Sequence, residues 1–208
     1  MVGYTSYEGN SRVQQYIKAL ATRGDTVDFI CLNPADLPSV ETNGNVTLYR
    51  ITKRWAQEEG RLGYLFRVMR FLFASAWMLA RTQLRRPYDV VHVHSVPDFL
   101  VFAALVPKLT GAGVILDIHD ILPEFYTARF KEGKSSVVFK LLVQVERASI
   151  ALSDRVIVAN PIWRDRLISR SVKPEKVTAI GNYPNPEIFF ARSKECSDRK
   201  FIMTYPGS

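Results

Sequence analysis

Short, unbroken apolar runs alternate with helical segments of ten or more residues along this chain, and that alternation is what most limits its fold. Residues 88–94 (YDVVHVH), 114–118 (VILDI) and 155–159 (RVIVA) are continuous β-rich stretches rather than strands with one polar face, as are residues 26–32, 46–51 and 177–180. Between them lie helical patterns at 12–23, 62–84, 98–110, 135–152 and 161–170, with Gly24 and Gly111 as stops and Pro161 at a first-turn position. Strands apolar on both faces and separated by helices require a parallel sheet covered on both sides, so the expected class is α/β, a Rossmann-like doubly wound parallel sheet. A length of 208 residues holds one such domain and a fragment of a second.

In doubly wound sheets ligands lie beyond the carboxyl ends of the strands, near a reversal of strand order. That rule selects the segments 4–12, 94–98, 119–126, 160 and 181–183. All three histidines fall at strand ends. His92 and His94 share one strand face, and such a pair can bind a metal if further ligands join it, but none is adjacent in sequence. The expectation is therefore no metal. An apolar strand that runs into Asp117-Ile118-His119-Asp120, with Glu124 four residues on, places titratable groups where this fold binds ligands; the plainer alternative is that Asp120 caps a turn and His119 bonds a carbonyl. There is no GxSxG elbow, no GxxxxGK[ST] loop and no GxGxxG, which argues against serine-hydrolase and P-loop chemistry.

Charge is localised. Residues 50–86 hold nine basic and two acidic residues, so nearly all of the +8 lies in that segment. Within it, the 62–84 helix has a charge-free stretch of only ten residues, 71–80, against the roughly 20 needed to span a bilayer. On a helical wheel Arg67, Arg70, Arg81 and Arg85 form one stripe, while Leu65, Met69, Leu72, Phe73, Ala76 and Leu79 face broadly the other way. Two readings remain: a domain helix that solvates its arginines, or a contact with anionic lipid in which Trp77 and Phe71 lie near the interface. Nucleic acid is not expected as a partner, because the cluster lacks a zinc finger, an RRM-type signature or a helix-turn-helix. Cys31 and Cys196 cannot form a disulfide framework, and Cys31 reads as a buried apolar residue. The cytoplasm is the simplest compartment, with the inner membrane face open as a peripheral location.

Several segments together resemble one family. The run YDVVHVHSVPDFLVFAALVPKLTGAGVILDIHDILPEFY, then ERASIALSDRVIVANPIWRDRLISRSV and KVTAIGNYPNPEIF, with the opening SYEGNSRVQQYIKALATRGDTVDFICL, is similar to the N-terminal half of GT-B glycosyltransferases of family four. The resemblance implies a retaining transfer of a sugar from a nucleotide-sugar donor to a glycan or lipid-linked acceptor, without a required metal or cofactor. The N-terminal domain would receive the acceptor and a C-terminal domain the donor. His119 matches the family histidine that faces the donor sugar, and Asp120 is grouped with it as catalytic. Asn10 and Arg12 lie in the first-loop region; His94, Ser95, Asp98 and Glu124 line the acceptor side; and Asn182 lies in the segment leading to the hinge. The expected domains are residues 1–198, acceptor-side with a truncated first strand, and 199–208, the first strand of a donor domain. On that reading the chain does not turn over alone. Two alternatives are a non-catalytic module that binds a glycolipid or partner subunit, and half of a sugar-nucleotide epimerase.

Overall fold

The computed structural model describes residues 1–53, 61–130 and 136–183. The expected strand at 200–205, the domain boundary at 199 and Cys196 lie outside these residues. Among the described residues one eight-stranded sheet runs in the order β3-β4-β2-β1-β5-β6-β7-β8. Its members are β1 (Val2–Gly3), β2 (Val27–Asn33), β3 (Val40–Asn43), β4 (Val46–Lys53), β5 (Val90–His94), β6 (Gly113–Ile118), β7 (Arg155–Val158) and β8 (Val177–Ala179). All pairings are parallel except the β3–β4 hairpin, which turns at Asn43-Gly44 with Gly44 at φ 58°. The apolar pattern shows no strand between residues 32 and 46, and the hairpin adds one there. Its outer strand, Val-Glu-Thr-Asn, is exposed throughout and so carries no apolar run to announce it.

The helices are α1 (Ser11–Arg23), α2 (Arg61–Gln83), α3 (Leu105–Leu109), α4 (Leu122–Phe130), α5 (Val137–Leu152) and α6 (Pro161–Ile168), and a 3-10 segment (Asp98–Ala104) leads into α3. Side-chain caps fix three starts: Asn10, Ser136 and Asn160 each accept the backbone N–H three residues on. Gly24, at φ 96°, closes α1 in the left-handed conformation that L side chains disfavour.

The period-two alternation of the strands sorts residues between two cores. Ile30 and Leu32 of β2, Val91 and Val93 of β5, and Val114 and Leu116 of β6 join Phe71, Leu72 and Leu79 of α2 in the larger cluster. The intervening Phe29 and Cys31, with Leu48, pack beneath Val13 and Ile17 of α1. By the same alternation His92, His94 and Asp117 fall on the α1 side of the sheet, where the Tyr16 ring lies 5.1 Å from that of His92.

Helix α2 is rotated relative to expectation. Its buried stripe is Val68, Phe71, Leu72, Ser75, Leu79 and Gln83, so Phe71 is a core residue and not an interfacial one. Phe73 and Leu65, expected on the sheet side, are 65% and 47% exposed. Aromatic and aliphatic residues occupy both sides of this helix, and the wheel alone does not say which apolar arc the sheet takes. No helix among the described residues is long and apolar enough to cross a membrane.

Candidate functional site

The order of strands reverses between β1 and β5, which are neighbours in the sheet although most of the first ninety residues separate them. At the carboxyl end of this pair the chain gathers its polar residues. His94 ends β5 opposite Asp117 of β6 in register. Asp117 is fully buried, and Arg12, from the first turn of α1, reaches it with two parallel bonds, Nε to Oδ2 and Nη2 to Oδ1, both 2.9 Å. The remaining guanidinium nitrogen donates to the Ile180 carbonyl at 2.8 Å and to Asn182 Oδ1 at 2.7 Å. One side chain thus ties the first helix, the middle of the sheet and the segment after β8. Gln15 adds a bond from its amide to the Tyr183 carbonyl, 2.9 Å. Arg12, Gln15, Tyr16 and residues 180–183 line a cavity of about 220 Å³. A larger groove of about 750 Å³ lies beside it, between α1 and the β3–β4 hairpin.

The histidines surround the same carboxylate. His94 Nδ1 and His119 Nε2 each lie 3.4 Å from Asp117 Oδ2 and 3.3 Å from each other, and His92 Nε2 is 3.8 Å from that oxygen. Burial pushes His94 down to about 4 and His92 well below its ordinary value, so near neutrality both are uncharged rings that act as donors or acceptors and not as cations. Burial also works against ionisation of Asp117, but the hydrogen bonds from His119, His94 and Arg12 outweigh it and hold the carboxyl below the usual carboxylate range. His119, 20% exposed in its side chain, is the imidazole of this cluster that reaches solvent, and Asp120 next to it is exposed.

The sequence-selected residues separate into groups. Arg12, His94, His119 and Asn182 come together. Asn10 caps α1, with its side-chain oxygen accepting from Val13 N–H at 3.1 Å. Ser95 and Asp98 are buried and bonded to each other, Ser95 Oγ donating to Asp98 Oδ1 at 2.6 Å. Burial, partly offset by that bond, raises the Asp98 carboxyl to about 7. Glu124 is held by a bidentate pair with Arg170, which also binds the buried Glu146 at 2.5 Å and so clamps α4 to α5. Arg70, Trp77, Arg81 and Arg85 lie on the exposed side of α2, with Arg81 stacked over the Trp77 ring at 5.2 Å, and Arg67 is half-buried. Asp117 was marked in the sequence only as part of the Asp117-Ile118-His119-Asp120 run, with no role of its own, and Tyr16 and Arg170 were not singled out. An aspartate inside an apolar strand, in step with His92 and His94, is itself a signal, because a buried charge demands a partner.

A mostly parallel sheet with its polar cluster at the switch point defines a Rossmann-like α/β domain, a class in which ligands bind beyond the carboxyl ends of the strands. The chain belongs to the glycosyl transferase 4-like domain family, whose model matches residues 9–183. No curated protein sequence matches it. Among solved structures it is similar to sucrose-phosphate synthase from Thermosynechococcus elongatus, with 16% identity and a TM-score of 0.64 over 92% of this chain and 50% of that one. A shorter chain of the same enzyme gives 17% identity and a TM-score of 0.60, with 90% and 91% covered. Os79 from O. sativa, solved in complex with UDP and deoxynivalenol-3-glucoside, gives 12% and 0.51 over 87% of this chain and 52% of that one. The chain spans about half the length of the full sucrose-phosphate synthase chain it matches. These likenesses show the fold alone, a Rossmann-like domain of the GT-B type.

Two outcomes follow from the buried charges. Arg12→Met strips Asp117 of its counterion and is expected to cost about 3–5 kcal/mol of stability in urea unfolding, with R12M/D117N recovering part of the loss. For Asp98, the folded chain keeps its proton up to about 7 while the unfolded chain releases it near 3.8, so stability falls as pH rises between those values and is level above them. The stability of Asp98→Asn relative to the parent should therefore rise across that window by on the order of 4 kcal/mol, at about 1.4 kcal/mol per pH unit. An unchanged difference at pH 4.5, 6 and 8 would refute this.

Proposed function

We propose that residues 1–198 form the acceptor-side half of a retaining glycosyltransferase that moves a sugar from a nucleotide-sugar donor to a glycan or lipid-linked acceptor. The observation that carries the reading is the Arg12–Asp117–His94–His119 cluster at the switch point, within the span matched by the glycosyl transferase 4-like model. In this reading His119 meets the donor sugar from the acceptor side, its ring held from behind by Asp117 and His94. Asp120, exposed beside it, faces the same crevice. Asn10 and Glu124 act through α1 and α4, which they anchor, and Ser95 and Asp98 brace the loop after β5. Arg12 and Asn182 join the crevice to the segment that leads toward a donor domain, residues 199 onward. The UDP and glucoside bound to Os79, which shares this fold, support a nucleotide-linked sugar as the donor class.

The isolated chain is expected to give no product from a panel of nucleotide sugars. Joined to a donor-binding half it should transfer sugar with retention, and His119→Ala should lower kcat at least a hundredfold with KM for the donor changed less. Product from the isolated chain, or full activity in H119A, would sink the assignment.

The lipid-surface reading of α2 gains support from its exposed face. Phe66, Phe73 and Trp77 are each more than 60% exposed and are interleaved with Arg70 and Arg81 at three- and four-residue spacing. That alternation places aromatic rings and guanidiniums on one face, as an interfacial helix requires. The chain should float with vesicles containing anionic lipid, lose binding as salt rises, and bind about tenfold less when Phe73 and Trp77 are both replaced by Ser. Equal flotation with neutral vesicles would count against it.

A further inference from the structure

The cluster at Asp117 has a nitrogen-rich side that Arg12 does not use. Three atoms there, His94 Nδ1, His119 Nε2 and Asp117 Oδ2, form a triangle with edges of 3.3, 3.4 and 3.4 Å. Ligand atoms bound at 2.0–2.1 Å to a tetrahedral ion lie about 3.3–3.4 Å from one another, since a tetrahedron's edge is about 1.6 times its centre-to-corner length. The triangle therefore has the dimensions of one face of such a coordination shell without any movement of the chain.

Hydrogen bonding accounts for this arrangement incompletely. Of the facing nitrogens of His94 and His119, one carries the proton that the other or the carboxylate accepts. His92 Nε2 is buried with no hydrogen-bond partner among the described residues; His94 Nε2 is too, and stays so when Nδ1 serves as the ligand atom. His92 Nε2 stands 3.8 Å from the same carboxylate oxygen, and possible ligand atoms of His92, His94 and Asp117 lie within 4.8 Å of one another. Asp117 Oδ2 has two lone pairs. Arg12 Nε takes one at 2.9 Å, and the other lies toward the imidazoles. The guanidinium binds both carboxylate oxygens and so fixes the plane of the carboxylate, which is the part an outer partner plays toward a metal-ligating group.

We infer that His94, His119 and Asp117, with His92 beside His94 and Asp117, form a site for a divalent transition-metal ion of the zinc class. Two or three imidazoles and one carboxylate oxygen are the donor set that zinc, nickel and copper favour over magnesium or calcium. Entry is from the crevice, through the partly exposed His119; His94 and Asp117 are sealed behind it. The positive charge of Arg12 opposes a dication, so the affinity is lower than that of a structural zinc site. The inference is independent of sugar transfer, because it is read by binding to the chain alone.

The test uses tag-free, chelator-stripped protein titrated with Zn²⁺ by calorimetry and with Co²⁺ by visible absorption, where a four-coordinate site gives the intense d–d bands that octahedral Co²⁺ lacks. One equivalent should bind, with those bands. His119→Ala and His94→Gln should each weaken Zn²⁺ binding at least tenfold, while Mg²⁺ should not compete at millimolar concentration. His119 also bonds the buried Asp117, so H119A is titrated below its own melting temperature, and melts of H119A and the parent separate loss of a ligand from loss of the fold. Absence of saturable binding, octahedral-type Co²⁺ spectra, or equal affinity in H119A would each overturn the site.

Discussion

The bidentate pair between Arg12 and Asp117 is the interaction on which the arrangement of this domain depends. Asp117 has no exposure, and an ion taken that far from water is costly unless its lone pairs are filled. Here one guanidinium supplies two bonds and the imidazole shell the rest. The same guanidinium continues to Ile180 and Asn182, so the pair is a junction and not an isolated bridge. Helix α1 is set on the sheet by it from one side, and the segment leaving β8 is drawn back across the strand ends from the other. Replacing the pair with apolar residues would fill the same space, but it would leave three parts of the chain without a common fixed point.

The two sides of the sheet have different tasks, and the period of two in the strands enforces the division. Val91, Val93, Val114, Leu116, Val156 and Val158 face the larger core and stabilise by burial alone. The residues between them on β5 and β6 are His92, His94, Ile115 and Asp117, on the side where α1 lies. A one-residue slip in β5 or β6 would move two histidines and an aspartate into the larger core and expose the valines, so the apolar pattern that sets the register also sets the site.

Most of the sheet was legible in the sequence because its strands are continuous apolar runs, and α1 and α6 because Gly24 and Pro161 mark their ends. The β3 strand was not legible: it is four exposed residues at an antiparallel edge, held by pairing with β4 and not by burial. Nor was α4, whose second residue is Pro123 and whose short sequence lacks a clear apolar period. In the site, the strand-end position of His94 and His119 could be read locally. The partner of Asp117 lies 105 residues away and that of Glu124 lies 46 residues away, and pairings at such separation come from topology, which no local pattern encodes. Ser95 and Asp98 were legible as polar residues at the right place, but that each would satisfy the other required the fold.

Helix α2 shows how composition and placement differ as evidence. Half of the chain's +8 and three exposed aromatic rings belong to the same 23-residue helix, which holds four arginines and no acidic residue. Positions 68, 71, 72, 75, 79 and 83 form one stripe, which the sheet covers; positions 66, 70, 73, 77, 81 and 84 form another, which it does not. A face needed only for solubility would carry Lys and Glu between its arginines, and the second stripe has instead two phenylalanines, a tryptophan and a leucine. Apolar groups concentrated on one exposed face, with guanidiniums between them, have the chemistry of a surface that is wet on one side and apolar on the other. Packing against the core and contact with such a surface use different stripes of one helix, so the two readings that the sequence left open for this segment do not compete.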